Sequence, residues 1–264
     1  MNSTIHKYWN SLGMLPKELY GCYPMGGGGL LEAPYRHFFE VKHLQRIIPL
    51  NKDMNILELG CGNGRWAVSL APLVNHYTGI DFSETAIDIA RECIKDIGLD
   101  NIVFYKIPAM EFQADKYFDI IYFSGVTQYL QDDEIIKILS NLKPYLKQST
   151  IIIDRSTLNY KTREISDLQN YYSIYRTPHE LSELFNTFEF KKYYQQRSYR
   201  FLRGVRFLNR TPVINALCIV SDLAKPISYY LMYTISWIAD HINPIPFEGG
   251  NRSHDFILFK RSEG

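Results

Sequence analysis

The chain has 264 residues, 46% of them hydrophobic, so it can bury the core of one large α/β domain with additions or of two small domains. Its 29 Lys and Arg nearly balance its 28 Asp and Glu, which argues against a nucleic-acid partner. The four cysteines are scattered without metal-ligand spacing, and no apolar run is long enough to cross a membrane. We therefore expect a reduced, cytoplasmic protein without a bound metal.

Predicted helices and strands alternate along most of the chain. In chain order they are a helix over 33–48, a strand over 55–59, a helix over 64–73, a strand over 77–80, a helix over 84–97, strands over 102–105 and 118–123, a helix over 132–146, a strand over 150–154, a helix from 178, a strand over 188–194 and a last strand over 254–260. This alternation predicts a doubly wound α/β fold. We expect a Rossmann-like, seven-stranded, mostly parallel sheet with an antiparallel last strand.

Two segments fall outside this pattern. Residues 1–32 end in a run of four glycines, which predicts an N-terminal lid or arm. Residues 198–252 exceed a usual connection and hold two apolar, helix-compatible runs, which predicts a helical insertion before the last strand. The insertion would cover the acceptor, form a homodimer contact or, through 212–242, touch a membrane surface peripherally. The nucleotide-binding domain would then comprise 33–197 and 253–264.

The most informative motif follows the first predicted strand. Glu58 lies near its end, and Gly60, Gly62 and Gly64 follow at alternate positions. An acid, Asp81, ends the next strand, as in a nucleotide-binding βαβ unit. A dinucleotide site requires G-x-G-x-x-G, whereas the spacing here is G-x-G-x-G with a carboxylate beside the turn. That carboxylate disfavours a pyrophosphate and favours a nucleoside ligand that carries an ammonium group.

These residues resemble the first motif of class I S-adenosylmethionine-dependent methyltransferases. The segments 79–83, 118–126 and 175–181 are similar to the second-strand end, the fourth strand and the late-helix start of that family. The resemblance implies S-adenosylmethionine as cofactor, with Asp81 on the ribose and Phe82 against the adenine. The implied cofactor-binding residues are Glu58, Gly60, Cys61, Gly62, Gly64, Asp81, Phe82, Ala109, Met110 and Ser124. The chain departs from the family after the third strand, where residues 105–112 lack the usual Gly-Asp pair, so backbone near Ala109 and Met110 would meet the adenine.

The sequence says less about the acceptor. Candidate general bases are His37, Tyr129 and His179, and candidate acceptor-lining residues are Tyr35, Gln128 and Tyr129. After the fourth strand the chain lacks both the Asn/Asp-Pro-Pro-aromatic motif of amino-methylating nucleic-acid enzymes and the cysteine of pyrimidine-carbon enzymes. We therefore expect O- or N-methylation of a small molecule, glycan or lipid-like acceptor. The alternatives are a non-catalytic S-adenosylmethionine-binding or scaffold protein, an aminopropyl transferase and an NAD-dependent dehydrogenase.

Overall fold

A computed structural model describes residues 29–95, 97–168, 171–199, 251–261 and most of 227–234, with side chains from residue 34 onward. Residues 1–28 of the expected lid at 1–32 and most of the expected insertion at 198–252 lie outside the described residues, whereas residues 29–32 form the start of a helix. Their roles, including contact with a membrane, a partner or the acceptor, therefore stay predictions. The described chain divides into two compact units, one holding 49–197 and 251–261 and the other holding 29–48 with the described residues between 198 and 234.

The first unit is built on a seven-stranded sheet. Its strands are β1 (Asn55–Leu59), β2 (His76–Asp81), β3 (Ile102–Lys106), β4 (Phe118–Ser124), β5 (Leu146–Asn159), β8 (Phe190–Arg197) and β9 (Arg252–Arg261), while β6 (Glu164–Leu168) and β7 (Tyr171–Tyr175) form a separate hairpin. The strand order is β3-β2-β1-β4-β5-β9-β8. The first five strands are parallel, and β9 is antiparallel to both β5 and β8. The expected fold class, including the antiparallel last strand, is confirmed.

Helices connect and cover these strands. They are α1 (Gly29–Ile47), α2 (Arg65–Leu70), α3 (Glu84–Lys95), α4 (Asp132–Leu142) and α5 (Pro178–Asn186), of which α1 belongs to the second unit. Two helix starts carry a capping box, Gln131 with Glu134 before α4 and Thr177 with Glu180 before α5. Each box satisfies backbone N–H groups that the first turn of a helix leaves unpaired.

The core of the first unit lies on both faces of the sheet. The strand β1 is buried along nearly its whole length, as expected for a central parallel strand that helices cover on both faces. Phe185 of α5 stacks on Phe259 of β9 at 4.4 Å between ring centroids, and its ring also meets Phe123 of β4. This packing fixes the carboxyl ends of the parallel strands, where ligands bind in folds of this kind.

Several elements of the structure differ from the predictions. The fifth strand runs over 146–159 rather than 150–154, because its polar continuation pairs with β9 as far as Asn159 opposite Arg252. The hairpin β6–β7 was not predicted, since β6 has exposed or half-exposed side chains and lacks a clear apolar alternation. The helices expected to reach residues 73 and 146 end as α-helix at Leu70 and Leu142, and each continues into a 3-10 turn that contains a proline.

In the second unit, an aromatic cluster packs α1 against the described part of 227–234. Phe39 of α1 lies 5.1 Å from Tyr233, and Phe38 lies 5.3 Å from Tyr229, measured between ring centroids. Glu40 accepts a hydrogen bond from the hydroxyl of Ser198 at 2.9 Å. None of the described helices is both long enough and apolar enough to span a bilayer.

Candidate functional site

The glycine turn after β1 is fixed to the end of β2. The backbone N–H groups of Gly60 and Cys61 both donate to the carbonyl of Ile80, at 2.9 and 3.0 Å. Gly60 has φ +75°, and a Cβ there would lie 3.2 Å from the Cβ of Val126, just after β4. The turn therefore needs glycine both for its left-handed backbone and for its close approach to the chain beyond β4.

Gly62 faces open space. Its φ is +54°, and a Cβ built on it would meet no atom within 4 Å. Its N–H donates to Asp81 Oδ2 at 2.9 Å, while Asp81 Oδ1 accepts from the N–H of Ser83 at 2.9 Å. The acid at the end of β2 is thus held beside the glycine turn, at the edge of a space that has room for a ligand against bare backbone.

Gly64 has a different environment. A Cβ there would lie 3.0 Å from Cζ of Phe104 on β3 and 3.1 Å from Cβ of Ala90 on α3. This glycine precedes α2 directly and allows the turn to pack closely against a neighbouring strand and helix. Its contribution is to packing, whereas Gly62 leaves space for a ligand.

Glu58 lies beneath the turn and is completely buried. Its Oε2 accepts a hydrogen bond from the hydroxyl of Tyr77 on β2 at 2.8 Å. Among the described residues, Oε1 makes no hydrogen bond of regular geometry, although the Ser124 hydroxyl lies near the carboxylate and favours its charged form. Burial raises the pKa of Glu58 to about 7, against the lowering by the Tyr77 hydrogen bond, the Ser124 hydroxyl and the charge of Arg65. A buried carboxylate with one free oxygen is a suitable partner for a ligand cation.

The adenine side of the expected site is formed after β2 and β3. Phe82 follows Asp81 and is half-buried, as are Ala109 and Met110 after β3. The Ile107 N–H donates to the carbonyl of Asp81 at 2.9 Å, so the chain after β3 is joined to the end of β2. The side chain of Met110 packs on the edge of the core. The assignment of these residues to the adenine stays a prediction.

The chain after β4 forms the side of the turn opposite β2. Ser124 ends the strand, and Gln128 is used structurally, because its Oε1 accepts the N–H of Thr157 at 2.9 Å. The hydroxyl of Tyr129 lies 3.3 Å from that of Tyr171 in the hairpin. Burial raises the pKa of Tyr129 well above its ordinary value, so its phenol stays neutral and cannot serve as a general base near neutral pH.

The other two candidate bases, His179 and His37, lie in different units of the chain. His179 begins α5 with a side chain 84% exposed and lies 4.0 Å from Glu183, so it is a solvated residue without an enclosed setting. His37 and the candidate lining residue Tyr35 are buried in the second unit, where the ring of Tyr35 lies 5.0 Å from that of Phe39. In the first unit, the structure brings together the glycines, Glu58, Asp81 and Ser124.

Sequence reasoning missed a buried clamp behind the chain after β4. Arg176 donates from Nη1 to the carbonyl of Thr127 at 2.7 Å and from Nη2 to that of Leu130 at 2.6 Å. It also bonds Asp132, which receives two further bonds from Arg163 at the start of the hairpin. The two arginines flank the hairpin in sequence. The position of Arg176 directly before the helix cap Thr177 was the only signal in the sequence that could have indicated the clamp. The role of Tyr77 gave no signal, because a tyrosine in a buried strand is ordinary.

Comparison with known proteins agrees with this geometry. Residues 56–149 match the model of a family described as methyltransferase domain. A demethylmenaquinone methyltransferase from Listeria welshimeri is 31% identical over 84 residues, which cover 30% of this chain and 36% of that protein. The chain therefore spans about a third of the length of this curated relative.

Solved structures extend the likeness of fold. An O-methyltransferase of a trans-AT polyketide synthase from Brevibacillus brevis, in complex with S-adenosylhomocysteine, aligns with a TM-score of 0.59 at 13% identity, covering 91% of this chain and 76% of that one. The [4+2]-cyclase SpnF aligns with a TM-score of 0.62 at 15% identity over 99% and 94% of the two chains.

The strand order and the glycine turn define a Rossmann-like, doubly wound domain. The match of residues 56–149 to a methyltransferase-domain family supports the resemblance to class I S-adenosylmethionine-dependent methyltransferases seen in the sequence.

Proposed function

We propose that the protein transfers a methyl group from S-adenosylmethionine to a small-molecule acceptor. The observation that carries this proposal is the open space over Gly62, with the carboxylates of Asp81 and Glu58 beside and beneath it. A ligand there meets bare backbone, a strand-end acid and a buried acid whose Oε1 makes no hydrogen bond of regular geometry within the described part of the chain. This donor set fits a ligand that combines a ribose with an ammonium group, and it does not fit a pyrophosphate.

Each residue has a distinct part in holding the cofactor. Glu58 would pair its free Oε1 with the ammonium group, and Asp81 would accept the ribose hydroxyls. Phe82 and Met110 would enclose the adenine. Gly62 would allow the ligand to lie against the backbone. Cys61 would contact the cofactor through its backbone, and Ser124 would contact it through its hydroxyl.

Positioning is the main catalytic task left to the protein. S-adenosylmethionine supplies a methyl group that its sulfonium already activates, so in-line displacement by the acceptor requires chiefly alignment and exclusion of water. The Arg176 clamp holds the backbone at Thr127 and Leu130, which fixes the chain beside the turn on the acceptor side. The neutral phenol of Tyr129 can donate or accept a hydrogen bond there.

A small acceptor is supported in two ways. The curated relatives include a methyltransferase named for demethylmenaquinone and one named for malonyl-acyl-carrier protein, the latter from Bacillus anthracis. The balanced charge of the chain also offers no basic footprint for a nucleic acid. Because neither Tyr129 nor His179 has the setting of a general base, we expect an acceptor oxygen or nitrogen whose deprotonation does not depend on them.

The test has two stages. Equilibrium binding should show that S-adenosylhomocysteine binds and that NAD does not, because the turn lacks a pyrophosphate site. The protein is then incubated with methyl-tritiated S-adenosylmethionine and, in separate reactions, with the metabolite, lipid, nucleic-acid and protein fractions of a cell extract. We expect label in the metabolite or lipid fraction. Binding of NAD without S-adenosylhomocysteine would refute the cofactor, and binding without transfer to any fraction would favour a non-catalytic binding protein.

A further inference from the structure

The hydrogen bond between Tyr77 and Glu58 engages only one of the two oxygens of a buried carboxylate. Both side chains are completely buried, and the phenol donates to Oε2 at 2.8 Å while Oε1 has no partner among the described residues. A carboxylate buried with an unsatisfied oxygen is costly unless a ligand or a proton completes it. A ligand group or a proton that binds at Glu58 Oε1 would therefore stabilise this carboxylate.

Several groups face this carboxylate from the elements around it. They are Tyr77 and Asp81 on β2, Tyr122 and Ser124 on β4, Cys61 in the turn and Arg65 at the start of α2. Burial raises the pKa of Glu58 to about 7, the Tyr77 hydrogen bond is the largest opposing effect, and the charge of Asp81 raises the pKa further. The net balance leaves acid and carboxylate forms nearly equal at neutral pH.

We infer that Tyr77 is a positioning residue of the cofactor site, whose phenol holds the Glu58 carboxyl group through Oε2 and aims Oε1 at the ammonium group of the cofactor. The inference rests on the proposed cofactor. It makes binding proton-linked, because an ammonium group pairs with the carboxylate and not with the neutral acid. When the ligand binds to protein in the acid form, the Glu58 carboxyl O–H bond breaks and its proton passes to solvent.

The linkage has a definite sign. Glu58 is protonated more fully as the pH falls through about 7, so affinity for S-adenosylhomocysteine should fall with it. With a midpoint near 7, we expect binding about tenfold weaker at pH 6 than at pH 8. At pH 7 binding should release about half a proton, which calorimetry in two buffers of different ionisation enthalpy measures. The desamino analogue of S-adenosylhomocysteine, which lacks only the ammonium group, should release none.

The matched variants are Tyr77→Phe and Tyr160→Phe. Each removes one phenol that donates to a buried carboxylate, Glu58 in the first case and Asp255 on β9 in the second. Losing a hydrogen bond to the charged form should raise the midpoint of the first variant by about one pH unit. Tyr77→Phe should then bind S-adenosylhomocysteine about fivefold more weakly than the wild type at pH 7 and nearly normally at pH 9, whereas Tyr160→Phe should match the wild type throughout.

The outcomes separate this inference from the proposed function. Equal weakening of S-adenosylhomocysteine and its desamino analogue by Tyr77→Phe would show a merely structural role and overturn the inference. Wild-type binding that releases no proton at pH 7 would overturn it without any variant, so a folding defect in Tyr77→Phe does not protect it. Failure of the wild type to bind S-adenosylhomocysteine at all would instead overturn the proposed cofactor, and the inference with it.

Discussion

Replacing Gly62 by alanine should block the cofactor while leaving the fold intact. The new Cβ would meet no protein atom within 4 Å, so it would enter the space assigned to the ligand. The backbone at φ +54° would be strained by about 1–2 kcal/mol, as for any residue with a side chain in this region. We expect the melting temperature to fall by about 2–4 °C per kcal/mol of this strain.

Gly98 provides a matched control for this experiment. It has φ +68°, and a Cβ there would also meet no atom within 4 Å, but it lies beyond α3 and outside the glycine turn. Gly98→Ala should therefore show the same loss of stability without the loss of ligand. Displacing the ligand far enough to lose one good polar contact raises its Kd by about tenfold or more, since each 1.4 kcal/mol is a factor of ten.

Isothermal titration with S-adenosylhomocysteine measures the difference directly. We expect a Kd at least about tenfold higher for Gly62→Ala than for Gly98→Ala at equal thermal stability. A Gly62→Ala variant that binds with the affinity of the wild type would refute the assignment of the space over Gly62 to the cofactor. Equal weakening of both would show that strain, and not occlusion, governs binding.

Further changes probe the acids, the clamp and a cap. Asp81→Ala should raise the Kd for S-adenosylhomocysteine by about 30-fold through lost ribose bonds, measured by titration. Glu58→Gln should raise the free energy of unfolding by up to about 3 kcal/mol at pH 7.5 and leave it nearly unchanged at pH 4.5. The reason is that the pKa of Glu58 is about 7 in the folded protein and 4.5 ordinarily, so the wild type loses stability as the pH rises between these two values. Arg176→Ala should lower the free energy of unfolding by about 2–4 kcal/mol in denaturant, since it leaves two buried carbonyls without their donor while Asp132 keeps its bonds to Arg163. Thr177→Ala should lower it by about 1 kcal/mol through loss of a helix cap.

Different results would contradict each of these. Unchanged affinity in Asp81→Ala would remove that residue from the ribose site. A Glu58→Gln variant no more stable than the wild type at pH 7.5 would mean that the buried acid is not under electrostatic stress. If Arg176→Ala unfolds at the same denaturant concentration as the wild type, the clamp does not hold the chain after β4. A free energy of unfolding that is unchanged in Thr177→Ala would show that solvent replaces the cap.

The parallel sheet was predictable because its strands carry local apolar patterns. The prediction of β1 at 55–59 was correct to the residue, since a short apolar run ends there in glycines that cannot continue it. The prediction of β5 fell short, because Arg155, Ser156 and Thr157 are polar and their partner β9 is nearly 100 residues away in sequence. Local pattern cannot indicate a strand whose polar end is stabilised by distant pairing.

The candidate site shows the same division. The glycine turn, Glu58 and Asp81 were recognisable because their spacing along the chain is fixed by one βαβ unit. Tyr77 and Arg176 were not, because their importance arises from atoms of other elements: a carboxylate on β1 for the first and carbonyls after β4 for the second. The hydrogen bond from Tyr77 is the largest effect that lowers the pKa of Glu58. The sequence does not show that these two side chains meet in a buried place.

A crystal structure of the protein grown with S-adenosylhomocysteine would show directly where the cofactor binds. We expect the ligand over Gly62, with its ammonium group within hydrogen-bond distance of Glu58 Oε1 and its ribose hydroxyls on Asp81. The Tyr77 hydroxyl should keep its bond to Glu58 Oε2. A ligand bound away from the glycine turn, or one whose ammonium group points away from Glu58, would contradict the proposed cofactor site.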